Sequence, residues 1–544
     1  MENKEFNLLW EPWIRVRLPD CSICEVSTEE LFCHAERYTD LAGELPTQDI
    51  AVLRLLLAVL HAVFTRYDAD GEEEELKSAQ DALQRWKSLW DAGKFPEKPI
   101  LAYLETWKER FWLFHPERPF WQVPSAVIGS PYSASKLNGE ISESSHKPRL
   151  FPCRTFDDRN RLTYSEAARW LIHTNAYEDA GIKKKGDAET KKTLESIGVC
   201  WLGECGLLYA QGENLFQTLM LNLVFTDSNG ELWENAEPVW EKQPYPEKQR
   251  ERIAVPNDQA DLLTLQSRRL LLNRENEYVT GYLSLGGSFF DKANTFQEQM
   301  TLWYRHQEKK NEPADYLPYT NRGRRQIWRD FEILAAEKNN ANATGIVRWL
   351  CQLQTKNILK KTAVYPYRFV SVEYDGNRSS IVNIFSDSLS VQLQIFNEVG
   401  KDCRSIIISE VAQCEKIAQY IGTLAYELDI AAGNTDPSFD GKAKEQFYYR
   451  VDIPFREWLR SLEPSEDYTV LARQCDAWRE TARKIALDYG RELVEQSGPA
   501  AFIGRNYKKN AKDTERHYSA PEAYNRFLSY MGKYGTKQKG DETV

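Results

Sequence analysis

Two cysteines, Cys21 and Cys24 in "CSIC", followed by the Cys33-His34 pair, form the densest group of soft ligands in the chain. A C-x-x-C pair offers two thiolates at a spacing that suits zinc, and Cys33 or His34 would complete a tetrahedral site. A metal held there could activate water, which would make the chain a metal-dependent nuclease or hydrolase using Cys21, Cys24 and His34. A second C-x-x-C is missing, however, and the pair falls on what reads as a turn, where free thiols are the ordinary outcome. "CWLGEC", from Cys200 to Cys205, is a weaker ligand pattern. The other reactive types do not gather. The seven His are dispersed without H-x-x-x-H or H-E-x-x-H. There is no nucleophile elbow and no phosphate-cradling G-x-x-x-x-G-K-[ST], and "GYLSLGG" lacks the strand–glycine–helix setting of a dinucleotide site. The residues predict no catalytic centre, no metal and no cofactor, and favour a binding or scaffold protein over an enzyme.

A different chemistry is signalled by "VEYDGNRSSIV", Val372 to Val382. Its flanks, Phe369 to Val372 and Ile381 to Ile384, are rich in β-branched residues and predict strands. Asp375, Gly376 and Asn377 are types that tolerate positive φ, so a tight hairpin is predicted with Arg378 near its tip. An arginine there is ordinarily a solvated turn charge, but its planar head also stacks on bases and binds phosphate. Basic islands recur at Lys183-Lys184-Lys185, at "NRGRR" (Asn321 to Arg325) and at "GRNYKKNAK" (Gly504 to Lys512). The net charge of −11 excludes a protein that coats nucleic acid with its whole surface. It allows a local basic groove on an acidic body.

The elements that must position these groups follow from periodicity. The opening predicts two short strands and a helix start, then a helix over "QDIAVLRLLLAVLHAVFTRY" with Thr47 as its N-cap. Its apolar core, Ile50 to Phe64, is interrupted by Arg54 and His61 and reads as too short to span a bilayer. A second helix stops near Gly93. From Pro116 to Thr163 periodicity disappears, which predicts a long loop anchored by Phe120, Trp121, Phe151 and Phe156. "SEAARWLIHTNAYEDA" and "ADLLTLQSRRLLLN" both read as helical. Beyond Ser388 four long helical patterns alternate with turns, for which a bundle is the economical solution. The fold class is therefore α+β, with a large mixed α/β domain over 1–387 and a C-terminal four-helix bundle over 388–544. The ten cysteines form no disulfide framework and no signal peptide is evident, so a cytoplasmic protein with reduced thiols and no membrane association is expected. With 16 Trp, some aromatics are expected on partner surfaces.

Five stretches occur in an order that resembles one known family. They are "NLLWEPWIRV" (Asn7 to Val16), "HPERPFWQV" (His115 to Val123), "GENLFQTLMLNLV" (Gly212 to Val224), "EPVWE" (Glu237 to Glu241) and "DLLTLQSRRLLL" (Asp261 to Leu272). The family is CasA, the large subunit of the type I-E Cascade complex of CRISPR immunity. The resemblance implies a non-catalytic subunit at the foot of an RNA-guided complex. Such a subunit recognises the protospacer-adjacent motif (PAM) on double-stranded target DNA, largely through the minor groove, and wedges the strands apart for R-loop formation. It then recruits a helicase-nuclease. Its other implied partners are the 5′ handle of the guide RNA and the backbone and small Cascade subunits.

The resemblance also nominates residues. Asn377, Arg378 and Ser379 match the wedge tip, with Arg378 in place of the usual glutamine. "YEDAGIKKKGD" matches a glycine loop at the minor groove, through Gly181 with Lys183, Lys184 and Lys185 as phosphate contacts. Lys292, in "GYLSLGGSFFDK", matches a lysine that enters the groove. "RLFPCRT" matches a loop that docks on guide RNA and neighbouring subunits, through Phe151, Pro152 and Cys153. The basic tail, Arg505, Lys508, Lys509 and Lys512, predicts a bundle face that tracks DNA. Besides the metal hydrolase, a purely structural helical adaptor without DNA contact is the remaining alternative.

Overall fold

A computed structural model describes residues 4–142, 147–148, 153–155, 158–184, 194–233, 235–243, 251–307, 313–321, 325–335, 344–434, 437, 441–464, 468–508 and 514–532. The chain divides into two compact units. The first comprises Met1–Arg325, Ala336–Lys360 and Tyr365–Ser388; the second comprises Gln326–Ala335, Lys361–Val364 and Leu389–Val544. The architecture is α+β.

The first unit combines small antiparallel sheets with helices, and its central helix Pro46–Phe64 packs against the helices Tyr164–Tyr177 and Gln259–Leu263. This helix starts one residue before the expected cap. Leu45 is the N-cap, and Pro46 supplies a preset φ for the first turn. Thr47 instead lies buried with its hydroxyl 3.0 Å from His173 Nε2. The helix is long and apolar enough to pass for a membrane span, contrary to the sequence expectation. Even so, 94% of its most apolar stretch is buried inside the fold. Arg54, which interrupts it, is neutralised by a two-pronged pair with Glu298 at 2.7 and 2.9 Å. That pairing lets a charge sit in a core that would otherwise reject it.

Two expectations fail in this unit. The stretch from Pro116 to Thr163 is not a bare loop, since Ser130–Ser133 is a strand and Ala134–Leu137 a helical turn; of its expected anchors, Phe120 and Trp121 are buried, and Phe151 and Phe156 lie outside the described residues. "ADLLTLQSRRLLLN" is helical only at its start, in the helix Gln259–Leu263, and after a turn its second half enters the strand Arg268–Glu275. That strand pairs with Tyr278–Gly286, which pairs in turn with Ser130–Ser133. The apolar run Leu270-Leu271-Leu272 is buried on both faces of this sheet, so it shows neither period and its type could not be decided from spacing. A second three-stranded sheet places Val364–Tyr374 between Leu207–Ala210 and Ile381–Gln392. Its two long strands form the hairpin that presents Arg378.

The second unit is a bundle of the helices Lys401–Ala432, Lys442–Ser461, Tyr468–Gln496 and Ala520–Gly532. Its core is aromatic. Trp328 stacks on Phe455 at 4.2 Å, and Trp458 stacks on Trp478 at 5.5 Å. The Trp328 indole donates to Asp452 at 2.7 Å, so this large ring is buried with its one polar atom satisfied.

Candidate nucleic-acid interface

The hairpin tip is organised by one aspartate. The Asp375 carbonyl accepts the Arg378 amide at 2.8 Å, and Asp375 Oδ1 accepts the amides of Ser379 at 2.6 Å and Ser380 at 3.2 Å. The chain is thereby forced to reverse over Gly376, Asn377, Arg378 and Ser379. The residue that takes the left-handed conformation is Arg378 itself, at φ 59°, rather than the Asp, Gly or Asn that precede it. A left-handed φ costs a residue bearing a Cβ about 1–2 kcal/mol. Gly376 and Asn377 are exposed at the apex, with Arg378 and Ser379 half-exposed beside them.

Three segments far apart in sequence meet at this tip. The Arg378 carbonyl accepts the Ala180 amide at 2.8 Å, which ties the start of the glycine–lysine segment to the hairpin. Arg378 Nη1 donates to Glu204 Oε1 at 2.6 Å, and Lys292 Nζ donates to Glu204 Oε2 at 2.9 Å. One carboxylate thus joins two cations that were nominated separately. They line a cleft of about 430 Å³ with Tyr304, Asn321, Glu373 and Tyr374. Both cations reach solvent, with side chains 39% and 44% exposed, while Glu204 lies deeper at 20%. Burial alone would raise the Glu204 carboxyl, but its bonds to Arg378 and Lys292 outweigh that and hold it below the usual carboxylate range. The floor is tight. A Cβ on Gly203 would run into the Tyr374 hydroxyl, which donates to the Tyr177 carbonyl at 2.7 Å.

The glycine–lysine segment is a strand, Gly181–Lys184, paired with Leu194–Ile197. Gly181 has open space where a side chain would stand. Lys184 is exposed, as a phosphate contact requires. Lys183 is not: it is 3% exposed, with Nζ 2.9 Å from Glu178 and 4.3 Å above the Tyr132 ring. Alternation along a strand turns neighbouring lysines to opposite faces, and the inward one is consumed by a buried ion pair. This corrects its assignment as a DNA contact. Glu178 also accepts Arg268 Nε and the Tyr282 hydroxyl. Burial would raise this carboxyl, but the charges of Lys183, Arg268 and Lys136 hold it at about 2.

Phe151, Pro152, Lys185, Lys509 and Lys512 lie outside the described residues. Cys153 is exposed, with its amide on Glu140 at 3.1 Å. Lys508 is exposed. Arg505 is a correction: its guanidinium donates to the carbonyls of Ile430 at 2.7 Å, Gly433 at 3.2 Å and Asn434. These carbonyls lie at and just past the end of helix Lys401–Ala432, where that of Ile430 also accepts the Gly433 amide, so Arg505 ties down this helix end rather than standing as a free DNA contact.

The metal alternative finds no constellation. Cys21 sits exposed at a left-handed φ of 68°, and no three of His, Cys, Asp or Glu gather to hold a metal among the described residues. Burial, followed by the nearby carboxylates, pushes the thiols of Cys24 and Cys33 up, away from the thiolate form that a metal needs. In "CWLGEC" both cysteines are buried, and burial pushes the Cys200 thiol up to about 12. The functional candidate in that motif is the residue between them, Glu204. No spacing rule would have selected it among 81 acidic residues.

Residues 7–489 match the family model of the CRISPR-associated protein Cse1. The chain belongs to this family. It is 32% identical over 242 residues to the CasA/Cse1 protein of Thermus thermophilus, a match that covers 44% of this chain and 43% of that protein's length. The crystal structure of Thermobifida fusca Cse1 superposes with a TM-score of 0.81 at 29% identity, covering 98% of each chain. A chain of a CRISPR RNA-guided surveillance complex shares the Cse1 fold with a TM-score of 0.69 at 16% identity, covering 97% of this chain and 100% of that one.

Proposed function

We propose that the chain is the non-catalytic large subunit of an RNA-guided CRISPR surveillance complex of the type I-E Cascade kind, and that the Arg378–Glu204–Lys292 cleft is its PAM reader and strand wedge. The observation that carries this reading is convergence: the hairpin tip bonds to Ala180 at the head of the Gly181 strand and, through Glu204, is joined to Lys292, although these positions span about 200 residues. A guide supplies sequence by base pairing, so the protein need read only a short duplex element. The degenerate code of the minor groove suits a permissive reader. Open backbone at Gly181 and Gly376 permits close approach to a groove, and Lys184 supplies a phosphate contact. Arg378 is the wedge. Its head fills the step beside the PAM, stacks there, and offsets the few kcal/mol needed to unstack that step. The loop at Phe151, Pro152 and Cys153 docks on the guide-RNA handle and neighbouring subunits, and the opened target recruits a helicase-nuclease.

Comparison of two targets tests the wedge. Arg378→Ala slows strand opening on fully paired duplex far more than binding to a target already mismatched beside the PAM, because the mismatch removes the unstacking cost. Equal losses on both substrates would make Arg378 a simple phosphate contact, and no loss on either would make it a solvated turn residue.

A further inference from the structure

We infer that Glu204 is a specificity-determining residue, one that neutralises the cleft toward DNA backbone in general so that only a target engaging the wedge gains full affinity. The inference rests on the reading of the cleft as the DNA-facing site. Three features single out Glu204. Each of its carboxylate oxygens takes one cation, at 2.6 and 2.9 Å, as a phosphate would. It also lies deeper than either cation, so it sits behind them and leaves their outer faces toward solvent.

The third feature is its anchorage. Glu204 ends the short turn Trp201–Glu204. Within that turn the Trp201 amide donates to Ser267 at 3.1 Å, the Trp201 indole donates to Glu298 at 2.9 Å, and Gly203 is pressed against Tyr374. The carboxylate is therefore fixed, whereas its cations stand on a hairpin tip and on a stretch outside regular structure.

The consequence is electrostatic. The cleft is also lined by Glu373 and Asp375, so its two cations already stand among carboxylates; Glu204, bonded directly to both, takes the Arg378–Lys292 pair itself from two positive charges to one. Binding to non-target duplex is almost entirely charge neutralisation, so it loses most from this cancellation. Wedge insertion depends on stacking and on the shape of the opened step, which the carboxylate leaves intact. Glu204 thus lowers indiscriminate binding more than it lowers target binding.

Glu204→Gln keeps the size and removes the charge. Two measurements are made on the full chain. One is binding of the chain alone to a short mixed-sequence DNA duplex over a range of salt. The other is binding of its assembled guide-RNA complex to a matched target selected from a randomised flank. The expected result is non-target binding tightened about tenfold at low salt, with a salt dependence steeper by about one counterion, and a ratio of target to non-target affinity that falls about fivefold. Glu204→Ala, read in the same way, serves if the Gln variant does not fold. Weaker binding to both DNAs would mean that Glu204 merely positions the cations, and that outcome overturns the proposal. Unchanged non-target binding also overturns it. The Arg378→Ala/Lys292→Ala double variant separates the underlying reading. If it leaves both bindings intact, the cleft is not the DNA site at all; if it weakens them while Glu204→Gln does nothing, only the role of Glu204 falls.

Discussion

Arg378 sits at φ 59° on a half-exposed tip, a conformation that a glycine would adopt without steric strain. Arg378→Gly removes that strain together with one partly exposed ion pair, and such pairs contribute little. The expected outcome is a melting temperature that stays level or rises, while strand opening slows as it does for Arg378→Ala. Thermal unfolding followed beside a strand-opening assay checks both halves. A clear fall in melting temperature would show that Arg378 is retained for folding, not for what it touches. The same logic separates the neighbouring lysines at this scale. Lys184 is exposed and available to a phosphate, whereas Lys183 is committed to Glu178.

At the scale of elements, the Gly181–Lys184 strand is held by a buried polar cluster: Glu178 with Lys183 and Arg268, and Asp179 with Lys136 at 2.7 Å. Such a cluster is costly to break, because removing one charge leaves another buried without a partner. It also makes stability depend on pH in a defined direction. The Glu178 carboxyl lies at about 2 in the folded chain, below its ordinary value of 4.5. Its contribution is therefore fully present above about 4.5 and is lost as the pH falls toward 2. Denaturant unfolding across this window should show a loss of stability that is smaller in Glu178→Gln, whose stability is already lower at neutral pH. An unchanged acid slope in the variant would show that Glu178 does not carry the effect. The cluster lies under the strand that carries Gly181, so this rigidity positions the proposed groove contact.

Across the whole molecule, a net charge of −11 opposes DNA, and only local groups attract it. The chain alone is therefore expected to bind duplex weakly, and the assembled complex strongly, because guide pairing and partner surfaces add terms that a free subunit lacks. Titration of a fluorescent duplex at two salt concentrations checks this. The isolated chain should lose its weak binding as salt rises, since each phosphate contact releases counterions. Tight, salt-insensitive binding by the free chain would contradict it.

Local rules reach as far as their periods reach. The helix Ala79–Ala92 is readable from its spacing because Ser78 caps its start and Gly93 ends it at a left-handed φ. The long helices after Lys401 are amphipathic, so period 3.6 reports them. The family, too, was readable from five ordered stretches, and the match over residues 7–489 agrees with it. Where a segment is buried on every side, period carries no information, which is why Arg268–Glu275 passed for helix. Composition could mark Lys183 and Arg505 as basic, but whether a cation faces water or a buried acceptor depends on partners distant in sequence: Arg505 on the end of a helix some 70 residues earlier, Lys183 on the inward face of its strand. Glu204 shows the limit most plainly. As a residue it is one acid among many, and only the tertiary fold, by bringing the hairpin tip and the Lys292 loop to its two oxygens, turns it into the centre of a cleft.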